Sequence, residues 1–101
     1  MWRVYAPAGS TWRARAASNT AITAGETYAV TIFTSATVDG AYLAVAGGAA
    51  SVTNASGTSI VTGTTVTPSA GSDVYLTIRC TYTAIAGILA NSYIGILERV
   101  S

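Results

Sequence analysis

A chain of 101 residues has room for one domain and one core, and a single domain is expected. Only 9% of the residues are charged, against roughly 25% in an ordinary soluble domain, so Thr, Ser, Ala and Gly must cover most of the surface. The net charge of +1, carried by arginines with no lysine or histidine, is too small for nucleic-acid binding, and the single cysteine excludes an internal disulfide.

Residues 1–6 read as a short strand, broken by Pro7-Ala8-Gly9-Ser10 before Trp12-Arg13-Ala14-Arg15. Two readings of residues 1–19 stay open. They are a first strand whose tryptophans enter the core, or an N-terminal arm that lays Trp2, Arg3, Trp12, Arg13 and Arg15 onto a neighbour. Residues 20–101 are expected to form the β-sandwich domain. The opening Met1-Trp2-Arg3-Val4-Tyr5 lacks the apolar stretch of a signal peptide, so synthesis without export is expected.

Gly25-Glu26 marks a turn, and residues 27–36 follow as a long strand with Tyr28, Val30 and Ile32 on one face and Ala29, Thr31 and Phe33 on the other. Asp39-Gly40 is a hairpin-type turn. Residues 41–46 are predicted as a strand, interrupted by Gly47-Gly48, with a brief strand at 51–53 and a turn at 54–57. Strands at 59–62 and 64–67 flank Gly63, which marks a bulge or a bend.

Residues 73–82 carry the clearest signal. Val74, Leu76, Ile78, Cys80 and Tyr82 alternate with Asp73, Tyr75, Thr77, Arg79 and Thr81, the period-2 pattern of a half-buried strand. Tyr75 and Arg79 therefore point away from the core, and Cys80 falls on the apolar face as a small hydrophobe. Residues 84–90 place Ile85, Ile88 and Leu89 at helical spacing over two turns, so a short helix, a loop and a strand all stay open. Residues 93–100 form the last strand. The predicted fold class is all-β, an antiparallel β-sandwich of jelly-roll or immunoglobulin-like type.

The supply of reactive groups is small. Glu26, Asp39 and Asp73 sit at predicted turns or strand ends, and Glu98 is placed to pair with a neighbouring strand. No histidine is present to serve as a base for a Ser or Cys nucleophile. One Cys and no His offer zinc no ligand set, and no acidic cluster has calcium-loop spacing. No phosphate-binding glycine motif occurs. The expectation is no catalytic residue, no metal and no cofactor. The most apolar stretch, 84–97, is too short to span a bilayer.

Gly25-Glu26-Thr27-Tyr28-Ala29-Val30-Thr31-Ile32-Phe33 resembles the G-x-x-Y-x-hydrophobic strand of jelly-roll carbohydrate-binding modules. Thr65-Val66-Thr67 to Gly71 and the following Ser72-Asp73-Val74-Tyr75-Leu76-Thr77-Ile78 are similar to the T-x-T-x-x-x-G stretch and the strand after it. The alternative reading as a carbohydrate-binding module places its glycan site at Tyr75 and Arg79, neighbours on the outward face of their strand, with Tyr42 as a further candidate. In overall character the chain also resembles small structural proteins of tailed bacteriophages, the capsid cement or decoration proteins and short tail or fibre modules. That likeness implies a non-enzymatic virion component, made in the host cytoplasm, that binds the major capsid protein or other virion proteins as a homo-oligomer, with a trimer favoured. Trp2, Arg3, Trp12, Arg13 and Arg15 would supply its contacts.

Overall fold

The computed structural model describes residues 2–19, 22, 24–68, 71–83 and 93–101. Seven strands form in them: β1 (Val4–Ala6), β2 (Trp12–Ser18), β3 (Thr27–Ser35), β4 (Leu43–Val52), β5 (Val61–Thr62), β6 (Val74–Thr83) and β7 (Tyr93–Arg99), with burial alternating most clearly along β2 and β3. One 3-10 turn spans Asn54–Ser56. Sheet A runs in the order β1-β6-β3-β4 and sheet B in the order β5-β2-β7, with all pairings antiparallel. The protein is thus an all-β antiparallel sandwich.

The core lies between the inner faces. Val30 and Ile32 of β3, Val52 of β4 and Leu76 of β6 are fully buried. Each such side chain contributes about 1.5–3 kcal/mol on leaving water. Sheet B meets them with Ala14 and Ala16, both fully buried, so β2 lies close against β3 and β4 and the core is thin.

The pairs β2–β5 and β3–β6 match the B–E and C–F pairs of an immunoglobulin sandwich. The terminal strands differ: β1 flanks β6 and β7 flanks β2, so first and last strands sit on each other's sheet relative to that order. Of the connections between named strands, β3 to β4 stays within one sheet and the others cross.

The arm reading of residues 1–19 is corrected. β2 is the central strand of sheet B, held by β5 on one side and β7 on the other, and β1 is paired with β6. The physical reason is the strict alternation of Trp12, Ala14, Ala16 and Ser18, all buried, with Arg13, Arg15 and Ala17, which are not. Trp12 can be 95% buried because its indole N–H donates to Ser10 Oγ at 2.8 Å, and Ser10 donates in turn to the Pro7 carbonyl. A boundary at residue 19 would divide sheet B.

Two predicted breaks also change. Gly47-Gly48 does not end a strand but forms a bulge within β4: Thr31 pairs with Ala49 and Phe33 with Ala44. Gly47 takes φ +75°, open to glycine, and a Cβ on Gly48 would come within 3.2 Å of Ile32 Cβ. The strands predicted around Gly63 shrink to β5 and a single bridge between Trp12 and Val66. Gly63 donates its N–H to the Ala14 carbonyl, and a Cβ there would stand 2.6 Å from the Ala49 carbonyl oxygen. The helix, loop or strand at 84–90 lies outside the described residues.

Candidate interaction surfaces

The outer face of sheet A carries a row of rings. Register places Tyr5 opposite Tyr75, and their rings meet edge to face with centroids 5.9 Å apart. Farther along β6, the Arg79 guanidinium lies 4.2 Å above the ring of Phe33 from β3, a cation–π contact. Tyr75 and Arg79, four residues apart on one strand, are separated by about 13 Å. Tyr5 donates its hydroxyl to Asp73, which also accepts the Ala8 N–H at 2.9 Å. That shared bond raises the Tyr5 pKa and lowers the Asp73 pKa.

Of the three residues assigned to a glycan site, Tyr75 and Arg79 share this face. Tyr42 does not stand on a strand. It sits in the loop between β3 and β4 and donates its hydroxyl to the Val38 carbonyl at 2.9 Å. The rings that accompany Tyr75 and Arg79 are Tyr5 and Phe33. Phe33 was readable from its parity with Thr31, which pairs with Arg79, but only once the strand register is known.

The outer face of sheet B is a different surface. Arg13 and Arg15 of β2 both reach Glu98 on β7, Arg15 Nη1 at 3.2 Å. The Arg13 hydrogen bond is the main cause that lowers the Glu98 pKa, with both guanidinium charges adding to it. Ile94, 54% exposed, and the half-buried Ile96 continue the face along β7.

The five residues assigned to partner contacts are therefore not one surface. Trp2 is 59% exposed and Arg3 pairs with Asp39 at 3.4 Å. Trp12 is core. Arg13 and Arg15 stand on sheet B. The segment is threaded through both sheets, and this scatters them.

Three tyrosines close the seam between the sheets. Tyr28 of β3 and Tyr93 of β7 stack at 4.6 Å, and Tyr82 of β6 tilts onto Tyr93 at 5.3 Å. Tyr82 donates to Glu26, which raises the Tyr82 pKa. Burial raises that of Tyr28, and a hydrogen bond with Cys80 adds to it. Cys80 stands on the core-facing side of β6 yet is exposed, against the expectation of a small core hydrophobe. β7 is the last strand of its sheet, so no described strand covers the flank of Cys80 beyond it. A cavity of about 300 Å³ lies near the start of β7, lined by Ala17, Ser18, Asn19, Tyr93 and Ile94.

Among the described residues, no three of His, Cys, Asp and Glu lie close enough to hold a metal ion. No helix in them is long and apolar enough to cross a membrane. Comparison of the chain with protein-family models, with curated proteins and with solved structures finds no match in any of the three.

Proposed function

We propose that the chain is a non-enzymatic structural protein of a bacteriophage virion, a capsid cement or decoration protein that binds and stabilises the coat-protein lattice. The observation that carries this reading is the exposure of large apolar side chains on a surface with few charges. Tyr5 lies on the outer face of sheet A, Ile94 on that of sheet B, and Leu43, 70% exposed, at the start of β4. Trp2 and Ile60 are exposed as well. Burying such side chains against coat subunits yields about 25 cal/mol for each Å² removed from water, and the Thr- and Ser-rich surroundings cost little to desolvate where they are paired. The contacts belong to the sheet faces and loops, replacing the arm as anchor. Arg13, Arg15 and Glu98 would orient the docked face.

The test is mass spectrometry of gradient-purified virions of the phage that carries the gene. The proposal requires the chain in fixed stoichiometry with the coat protein, and its absence from particles would overturn it.

A second reading, a glycan-binding module, is favoured by one observation, the row of Tyr5, Tyr75, Phe33 and Arg79 on the outer face of sheet A. A glycan array with the purified protein tests it, and Tyr75→Ala should abolish any binding that is found.

A further inference from the structure

Sheet edges expose unpaired backbone groups, and natural proteins blunt them with short strands, bulges, prolines or charges. Among the described residues, sheets A and B present four edge strands. β1 has three residues and β5 two. β4 is long but is broken by its bulge at Gly47 and Gly48. β7 is the least protected: seven residues in unbroken register with β2, apolar from Tyr93 to Leu97, without Pro or bulge, and with its charges, Glu98 and Arg99, confined to one end.

The hydrogen-bond parity of β7 can be read from its ends. Thr11 turns its backbone toward the C-terminus, accepting from Val100 at 2.7 Å and donating to Ser101 at 3.0 Å. Trp12 turns the other way and exchanges bonds with Val66. Continued along β2, that alternation aims Arg13, Arg15 and Ala17 at Glu98, Ile96 and Ile94. The N–H and C=O groups of Gly95, Leu97 and Arg99 therefore face the outer edge. The layers add a second observation: β5 packs on β4, β2 on β4 and β3, and β7 on β3 and β6. The next position beside β7 faces β6, where Ile78 is only half-buried and Cys80 is exposed.

We infer that the outer edge of β7 pairs antiparallel with β7 of a second copy, about a two-fold axis at Ile96, to make a continuous six-stranded sheet. This inference concerns the free chain and does not depend on the virion reading. The parity requires odd-numbered residues to meet odd-numbered ones, and a two-fold at Ile96 is the register that pairs all seven residues. Gly95 then exchanges bonds with Leu97 of the second copy, and Ile96 meets its own equivalent. Charge fits the same register. Glu98 and Arg99, both at one end of the strand, come opposite Ile94 and Tyr93 of the second copy, so no like charges oppose each other. An edge that pairs with itself closes as a dimer, in place of the trimer favoured by the phage likeness.

The test is light scattering on the full chain and on two variants, Ile96→Lys and Ile96→Glu. The wild type should have twice the 10.2 kDa chain mass. Each variant places like charges face to face at the axis and should weaken the dimer by about 100-fold or more. An equimolar mixture of the two should re-form a dimer, because only residue 96 meets itself. A monomeric wild type, or variants that dimerise singly as well as mixed, would overturn the inference. Should either variant fail to fold, Ile96→Cys in a Cys80→Ser background decides the matter. Residues directly opposite at such a position stand about 4.5–5.5 Å apart, within disulfide reach. Oxidation should cross-link that protein to a dimer, and failure to cross-link would overturn the inference.

Discussion

Tyr28 and Tyr93 stack across the sandwich with ring planes 20° apart, so the last strand is fastened to the centre of the opposite sheet by an aromatic pair. Two residues on, β7 comes so close to sheet A that only a glycine fits. A Cβ on Gly95 would lie 2.9 Å from both Val30 Cγ2 and Cys80 Sγ. Gly95→Ala should therefore destabilise the fold by about 1–3 kcal/mol in urea unfolding, the usual cost of overpacking. Adding Cys80→Ala removes one of the two clashes and should restore part of that loss.

Removal of residues 1–18 should abolish cooperative unfolding, because it takes away the central strand of sheet B and its buried Trp12, Ala14 and Ala16. Thermal denaturation followed by circular dichroism reads this directly. A truncated chain that still melts cooperatively would restore the arm.

Glu98 carries the acid sensitivity of sheet B. Its folded pKa lies below the ordinary carboxylate value because Arg13 and Arg15 hold the ionised form. A carboxyl whose pKa is lowered by folding adds stability above its unfolded pKa, near 4.3, and loses it as pH falls through the folded value. Wild type should thus lose thermal stability below about pH 4, and Glu98→Gln should lose less over the same interval. Tyr28 acts at the other end: its raised pKa means that stability falls as pH rises past about 10, where the unfolded chain ionises first.

Tyr75→Ala and Arg79→Ala separate an outward surface from a core. Tyr75 is half-buried and Arg79 exposed on the outer face of sheet A. Each substitution should lower stability by about 1 kcal/mol or less, the worth of one ring pair or one exposed cation–π contact. Leu76→Ala, between them on the inward side and fully buried, should cost about 2–5 kcal/mol. Urea unfolding of the three variants checks the register of β6.

The strands with strict alternation were legible. β3 and β6 carry enough large residues that period 2 alone fixes which face is buried. β2 was harder, because alanine marks its inner face and arginine its outer one, a pattern that fits a core strand and an extended arm alike. β4 was misread at Gly47-Gly48, since a glycine pair signals a turn as readily as a bulge, and only pairing with β3 decides between them. The site was legible within single strands and not across them. Tyr75 and Arg79 follow from the parity of β6, whereas Tyr5, Phe33 and the link from Arg13 and Arg15 to Glu98 depend on which strands are neighbours. The exposure of Cys80 depends on where sheet B ends, and one strand's alternation does not report that.

The most direct test of the assembly role is the copy number of this chain in purified virions, by quantitative mass spectrometry against the coat protein. The account predicts a fixed ratio of the chain to the coat protein, retained through repeated gradient purification. A chain found in the lysate but absent from particles would contradict it, and the aromatic row of sheet A would then be the surface to pursue with glycans.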